Sequence, residues 1–329
     1  MNPAIETNGL RKTYGSVTAI DDLSLTINSG EIFGLLGPNG AGKSTVLRIL
    51  ITVLQPTTGS AKVLGHDVVE EADIVRSLIG YVPQERAIDR FLTGREHLEL
   101  LGDLYHLPKA QAQQRIQELL KLVNLEEQAD RPAKTYSGGM KRKLDIACGL
   151  LPNPKIVFLD EPTLGLDVQS RLRIWEYIRQ LREQGITIVM TTNYLEEADR
   201  LCDRLAIIDG GKIKVIGSPK ELKAGLGGDS LSLRIKEIQI EKPDKELQLD
   251  QLSKAITALS FVREVQKRDN GLDILVESPE KSLPAVLDIA SRLNCQVDGV
   301  EYHRPRLDDV FVAYTGHALK GEYPDVVEE

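Results

Sequence analysis

Nine consecutive residues, Gly37-Pro38-Asn39-Gly40-Ala41-Gly42-Lys43-Ser44-Thr45, have the make-up of an anion cradle. Glycines let successive backbone N–H groups turn inward on one phosphate, and the start of a following helix adds partial positive charge. The spacing G-x-x-x-x-G-K-S sets Lys43 to reach the β- and γ-phosphates of a nucleotide and Ser44 to hold Mg²⁺. A glycine turn that binds nothing has no need of Lys-Ser at its helical end. A second chemistry lies at Asp160-Glu161, where a buried-looking strand ends in two carboxylates. Asp160 suits the Mg²⁺ shell, and Glu161 suits orienting or deprotonating an attacking water.

Three further positions carry chemistry with an ordinary alternative beside it. Ser137-Gly138-Gly139, ahead of the basic Met140-Lys141-Arg142-Lys143, reads either as a second anion site or as a plain helix cap. Gln84 follows a proline at a strand end, near solvent. Tyr14 is either an aromatic that covers an adenine face or a strand tyrosine. His97 and His106 read as solvated or core-edge histidines.

These groups need elements to position them. The run 32–36 is apolar and precedes the glycine loop, and 46–50 continues it as a helix, which is strand, loop, helix. The continuous apolar runs 155–159, 186–192 and 204–209 have the pattern of parallel strands buried on both faces, and in such sheets ligands sit beyond the strand C-termini. The run 79–82 is another such strand. Residues 5–27 read as antiparallel strands turning at Tyr14-Gly15, and 59–67 as one more strand. From about 86 to 150 the pattern turns helical: Thr93 can cap a helix with Leu98, Leu101 and Tyr105, and Ile116, Leu119, Leu120 and Val123 share one face.

Length and charge bound the rest. A chain of 329 residues exceeds one typical core, so a large domain with a smaller one is expected. The net charge of −8 disfavours broad nucleic-acid binding, and no nucleic-acid partner is expected. Cys148, Cys202 and Cys295 are far apart without a CxxC, which fits a reducing compartment better than a disulfide framework. No uncharged apolar run approaches the roughly 18 residues of a membrane span and no leader pattern opens the chain, so membrane contact is expected through a partner.

The order of these motifs resembles the ATP-binding subunit of ABC transporters over roughly residues 4–220. The resemblance implies a P-loop NTPase α/β domain with an antiparallel edge sheet and a helical subdomain, residues 4–224, that binds ATP and Mg²⁺. It implies that Gly37 to Thr45 cradle the phosphates, Tyr14 stacks on adenine, and Ser44, Gln84 and Asp160 meet the metal. Glu161 matches the catalytic base. Tyr136-Ser137-Gly138-Gly139-Met140 matches the signature, and Leu164-Gly165-Leu166-Asp167 the D-loop. One phosphate loop and one signature per chain imply two copies, with Ser137 of one reaching the γ-phosphate held by Lys43 of the other. Met140, where glutamine is usual, points to the drug-exporter branch typified by daunorubicin-resistance ATPases. The switch position, usually histidine, is Asn193, which implies slow hydrolysis. The expected partner is an integral-membrane permease at the cytoplasmic face. A soluble ABC ATPase and a regulatory nucleotide sensor stay open as alternatives.

Beyond the glycine-rich linker 225–228, residues 229–329 read as a small α+β domain. Strands at 230–240, 262–267, 272–277 and 296–302 alternate with helices at 247–259 and 283–293, and Asp269-Asn270-Gly271 is a hairpin signal. The order β-α-β-β-α-β is ferredoxin-like. The segment from Arg306 to Phe311 with Tyr314-Thr315-Gly316 resembles the C-terminal element of drug-exporter ATPases, expected to support a dimer.

Overall fold

The structure, a computed structural model, describes residues 3–85, 88–226, 229–235, 242–268, 271–276 and 278–319. The chain divides into two compact units. One runs to Pro219 and takes in the chain again from Tyr314; the other is Lys220–Ala313.

In the first unit the chain runs β1 (Pro3–Tyr14), β2 (Val17–Asn28), β3 (Ile32–Leu36), α1 (Lys43–Leu50), β4 (Thr58–Val63), β5 (His66–Asp67), α2 (Ala72–Leu78) and β6 (Ile79–Val82). It continues through α3 (Gly94–Leu104), α4 (Lys109–Leu122), α5 (Gly138–Leu150), β7 (Ile156–Asp160), α6 (Val168–Glu183), β8 (Thr187–Thr192), α7 (Leu195–Leu201), β9 (Arg204–Asp209) and β10 (Lys212–Gly217). One sheet has the order β10-β9-β3-β8-β7-β6, parallel from β9 to β6 with β10 antiparallel at the edge. Every residue of β3, β7 and β8 is buried, as strands covered on both faces require. The other sheet, β2-β1-β4-β5, is the expected antiparallel layer. Its core leucines and isoleucines, such as Ile5, Leu10 and Leu23, join those of β3 and α1 in one cluster. The single strand expected over 59–67 is two, because Leu64 (φ 52°) and Gly65 (φ 86°) turn left-handed between them.

The helical insertion follows β6; residues 86 and 87, where the helical pattern of the sequence begins, lie outside the described residues. Thr93 does cap α3. Its hydroxyl accepts from Glu96 N at 3.1 Å, and Glu96 returns a carboxylate to Thr93 N at 2.7 Å, a capping box. His97 is a buried core-edge group, its Nδ1 donating to the Thr93 carbonyl and its Nε2 accepting from Asp89 N.

In the second unit the chain runs α8 (Pro219–Ala224), β11 (Asp229–Ile235), α9 (Lys242–Thr257), β12 (Val262–Arg268), β13 (Gly271–Val276), α10 (Pro279–Arg292), β14 (Val297–His303) and α11 (Leu307–Thr315). The sheet order β12-β13-β11-β14, all antiparallel, is the ferredoxin-like arrangement. Leu231, Leu233, Leu252, Ile256, Leu272, Ile274 and Val286 make its core. β11 closes at Ile235; residues 236–240 of the longer strand expected there, Gly227 and Gly228 of the linker, and Asp269-Asn270 of the hairpin signal lie outside the described residues.

Helix α5, which opens with Ser137 as its cap, lies directly on β6. A Cβ at Gly80 would meet the Gly149 carbonyl oxygen at 2.1 Å, and one at Gly149 would meet Val82 Cγ2 at 2.7 Å. Overpacking of this kind costs about 1–3 kcal/mol. Gly80→Ala is therefore expected to lower the urea midpoint by a corresponding amount without changing the slope, which equilibrium unfolding followed by circular dichroism measures.

Candidate active site

The phosphate loop leaves β3 and enters α1 at Gly42, whose φ of 103° and whose Cβ direction, 2.5 Å from the Ala19 carbonyl oxygen, admit only glycine. Asn39 and Gly40 stand exposed at the tip, while Lys43 is 4 % exposed. Its Nζ donates to the carbonyls of Gly37 at 2.7 Å and Pro38 at 3.1 Å and lies 3.9 Å from Glu161 Oε1. Ala41 N donates to the Pro38 carbonyl at 3.1 Å, which tightens the loop.

Parallel register brings the other groups to the same end of the sheet. Leu36 pairs with Thr192 and Asp160 with Thr191, so the residues just past β3, β8 and β7 are neighbours. Asp160 Oδ1 accepts from Ser44 Oγ at 3.3 Å and from Thr191 Oγ1 at 2.5 Å. A hydroxyl and a carboxylate so joined are the hard oxygen donors that suit Mg²⁺. Glu161 Oε2 accepts from Gln84 Nε2 at 2.9 Å. Lys43, Ser44, Gln84, Asp160 and Glu161 thus form one constellation. Burial pushes the Glu161 carboxyl up; Lys43 opposes this and the neighbouring Asp160 adds to it. Burial lowers Lys43, against the pull of Glu161 and Asp160.

Glu161 has φ 45°, unusual for a residue with a side chain, and its surroundings hold it there. Its N–H donates to Thr191 Oγ1 at 3.0 Å. On the other side the buried guanidinium of Arg142 donates to the carbonyls of Pro162 (2.7 Å), Pro83 (2.6 Å), Asp160 (3.0 Å) and Glu161 (3.3 Å). Sequence reasoning gave Arg142 no role. Its one signal is position: it falls with Gly139, Ile146 and Gly149 on the buried stripe of α5, where an arginine needs partners. Glu197 was missed too. Fully buried on α7, it accepts from Thr163 Oγ1 at 2.7 Å and Trp175 Nε1 at 2.9 Å, tying the helix after Asn193 to the loop after Glu161.

Ser137 and Asp167 stand apart from this constellation in their bonding. Ser137 Oγ accepts from Met140 N at 3.2 Å, and Asp167 accepts from Ser170 N at 2.9 Å and Ser170 Oγ at 2.7 Å, each capping its own helix. The first turns of the two helices pack closely, since a Cβ on Gly139 would lie 2.6 Å from Ser170 Oγ. Gly138 is exposed beside Ser137. Asn193 follows β8, and its Oδ1 is buried with no hydrogen-bond partner among the described residues. Tyr14 ends β1 with its ring 47 % exposed and Lys12 Nζ 5.3 Å from the ring centroid.

Residues 20–164 match the ABC transporter family model. Over 314 residues the chain is 41% identical to the daunorubicin/doxorubicin resistance ATP-binding protein of Streptomyces peucetius, covering 95% of this chain and 93% of that one. The chain belongs to the ABC transporter ATP-binding family. This ABC ATPase is also 37% identical to the Nod factor export ATP-binding protein I of Ralstonia nicotianae, over 97% of this chain and 95% of that protein. Among solved structures it resembles a dimeric ATP-binding cassette in a post-hydrolysis state with ADP and Pi, at TM-score 0.59 and 28% identity. That likeness covers 65% of this chain and 98% of the cassette.

Burial raises Glu161, so this carboxylate takes up its proton on acidification earlier than an ordinary one. A carboxyl serving as a base must be ionised, so with Glu161 in that role activity is recovered only as pH climbs past the ordinary carboxylate value. The acid limb of kcat/KM for ATP is expected above pH 4.5 and is expected to vanish from the residual activity of Glu161→Gln; a pH–rate profile measures both.

Proposed function

We propose that this ABC ATPase powers export through a separate integral-membrane permease, working as a pair of chains that close on two ATP molecules. The observation that carries the reading is the division of the site. Lys43, Ser44, Asp160, Glu161 and Gln84 are bonded into one half-site, whereas Ser137 and Asp167 cap neighbouring helices in a patch of their own. Two copies facing each other bring the patch of one to the half-site of the other, and closing on nucleotide then opening after hydrolysis is the power stroke.

Each residue has its part in this scheme. Backbone N–H groups of the non-proline residues in the loop 37–45 bind the phosphates, and Lys43 exchanges its carbonyl partners for β- and γ-phosphate oxygens. Ser44, Asp160 and Gln84 would hold Mg²⁺, and that cation would supply positive charge against the phosphates. Glu161 orients the water and takes its proton, and its bond from Gln84 links that step to the loop leading into the helical insertion. Tyr14 offers its exposed ring to the adenine, and Gly138 and Gly139 open the partner helix N-terminus toward the γ-phosphate.

The names of the relatives support export, and a surface of the helical insertion supports a membrane partner. Phe91 and Leu104 are 71 % and 65 % exposed, with Leu100 and Tyr105 half-exposed near them in the chain. Exposed apolar side chains of this kind are available for a contact with another protein. No helix among the described residues is long and apolar enough to cross a membrane. In this reading the permease holds the chain at the cytoplasmic face.

Asn193 sets the speed. An amide donates to a phosphate oxygen without the charge of an imidazolium, and losing charge assistance costs on the order of 1–2 kcal/mol, roughly 5- to 30-fold in rate.

Two experiments test these readings. Glu161→Gln is expected to cut turnover by ~10²–10⁴-fold while holding ATP, and to elute as a dimer from gel filtration with ATP and Mg²⁺; a monomer there overturns the paired site. Asn193→His is expected to hydrolyse ATP ~5- to 30-fold faster at unchanged ATP affinity, and equal or lower turnover removes the case for an impaired switch.

A further inference from the structure

We propose that a cavity of about 430 Å³ at one end of the second unit's sheet binds a small phosphate-bearing anion, at a site separate from the nucleotide site. Its volume falls in the range of roughly 300–1,000 Å³ typical of ligand pockets. Antiparallel pairing gathers its walls. Asp229 at the start of β11 pairs with Val276 at the end of β13, Val276 pairs with Val262 beside Arg263, and Ser230 pairs with His303 just before Arg304. Helix α8 closes the end with Lys220, Lys223 and Ala224, whose spacing puts them on one helix face.

Among the described residues the walls carry four cationic side chains, Lys220, Lys223, Arg263 and Arg304, and one carboxylate, Asp229. That is a local reversal of sign in a chain of net charge −8. The carboxylate organises the wall it belongs to. Asp229 Oδ2 accepts from the Tyr302 hydroxyl at 3.2 Å and from Arg304 Nε at 3.3 Å, and the Arg304 guanidinium lies 5.3 Å from the Tyr302 ring centroid. Arg304 is thereby oriented before any ligand arrives, which lowers the ordering cost of binding. Two guanidinium groups and two ammonium groups supply the positive charge, and the guanidinium groups the forked donors, that phosphate oxygens accept. A soluble phosphate ester and the headgroup of an anionic phospholipid share that chemistry.

The test separates the two sources. Inorganic pyrophosphate is titrated calorimetrically into the full chain carrying Lys43→Ala, which removes the phosphate loop's lysine, and into the same chain with Arg263→Gln and Arg304→Gln added. Saturable binding, weakened at least ~tenfold by the arginine pair, is expected if the ligand is soluble. A second pair, Lys220→Gln with Lys223→Gln on α8, is expected to act in the same direction and serves if the first pair does not fold. The same chains are sedimented with phosphatidylcholine vesicles containing or lacking phosphatidylglycerol. Capture that needs phosphatidylglycerol and is lost in the substituted chains, without pyrophosphate binding, assigns the site to a lipid headgroup. Binding in neither assay, or binding that both pairs leave undiminished, overturns the proposal. None of these readouts depends on ATP turnover or on dimer formation.

Discussion

The buried guanidinium of Arg142 is the joint on which the geometry of the ATP site rests. Four carbonyls accept from it, belonging to Pro83, Asp160, Glu161 and Pro162. It therefore fastens the helix that Ser137 opens to the ends of β6 and β7, which carry Gln84 and Glu161. Hydrogen bonds from a charged donor contribute about 1.5–3 kcal/mol each, and carbonyls left unpaired at such depth cost about 1–3 kcal/mol. A strained φ at Glu161 persists because this clamp on one side and Thr191 on the other leave the backbone no alternative.

Electrostatics at the site are held short of balance. Lys43 is buried against carbonyl oxygens with its nearest carboxylate oxygen, on Glu161, at 3.9 Å, and burial pushes each of the pair toward its neutral form. In the proposed scheme a polyphosphate and its cation would supply the charges the pair lacks, so nucleotide binding and proton uptake by Glu161 would draw on one arrangement. The bonds of Glu197 extend that arrangement to α6 and α7, since Thr163 lies just past Glu161 and α7 follows Asn193. One buried carboxyl on the helix after Asn193 thus bonds to both the loop that leads into Asp167 and the helix that follows it.

Much of this was legible in the residues. The phosphate loop, the acidic pair and the capped glycine helix declare themselves because their chemistry is local: a handful of neighbouring residues must present N–H groups, a lysine and a hydroxyl to one phosphate. The buried strands declare themselves by unbroken apolar runs, and the second unit by the alternation of its strands with helices. The break at Leu64-Gly65 was missed because a lone glycine inside a strand pattern does not by itself announce a turn and leucine gives no warning of a left-handed φ.

Contiguous residues alone point to the family, the glycine loop, the acidic pair and the order of the buried strands, since local chemistry or an apolar run marks each. Only the tertiary structure decided that β8 lies between β3 and β7, so that Thr191 bonds to both Asp160 and Glu161. It alone decided the partners of Arg142, which lie 18 to 59 residues away, and the convergence of Lys220, Arg263 and Arg304 on one cavity. The physical reason is common to all three. Those contacts join segments distant in the chain, and what brings the segments together is backbone pairing and carbonyl bonding, which every residue can supply and no pattern of side chains reveals.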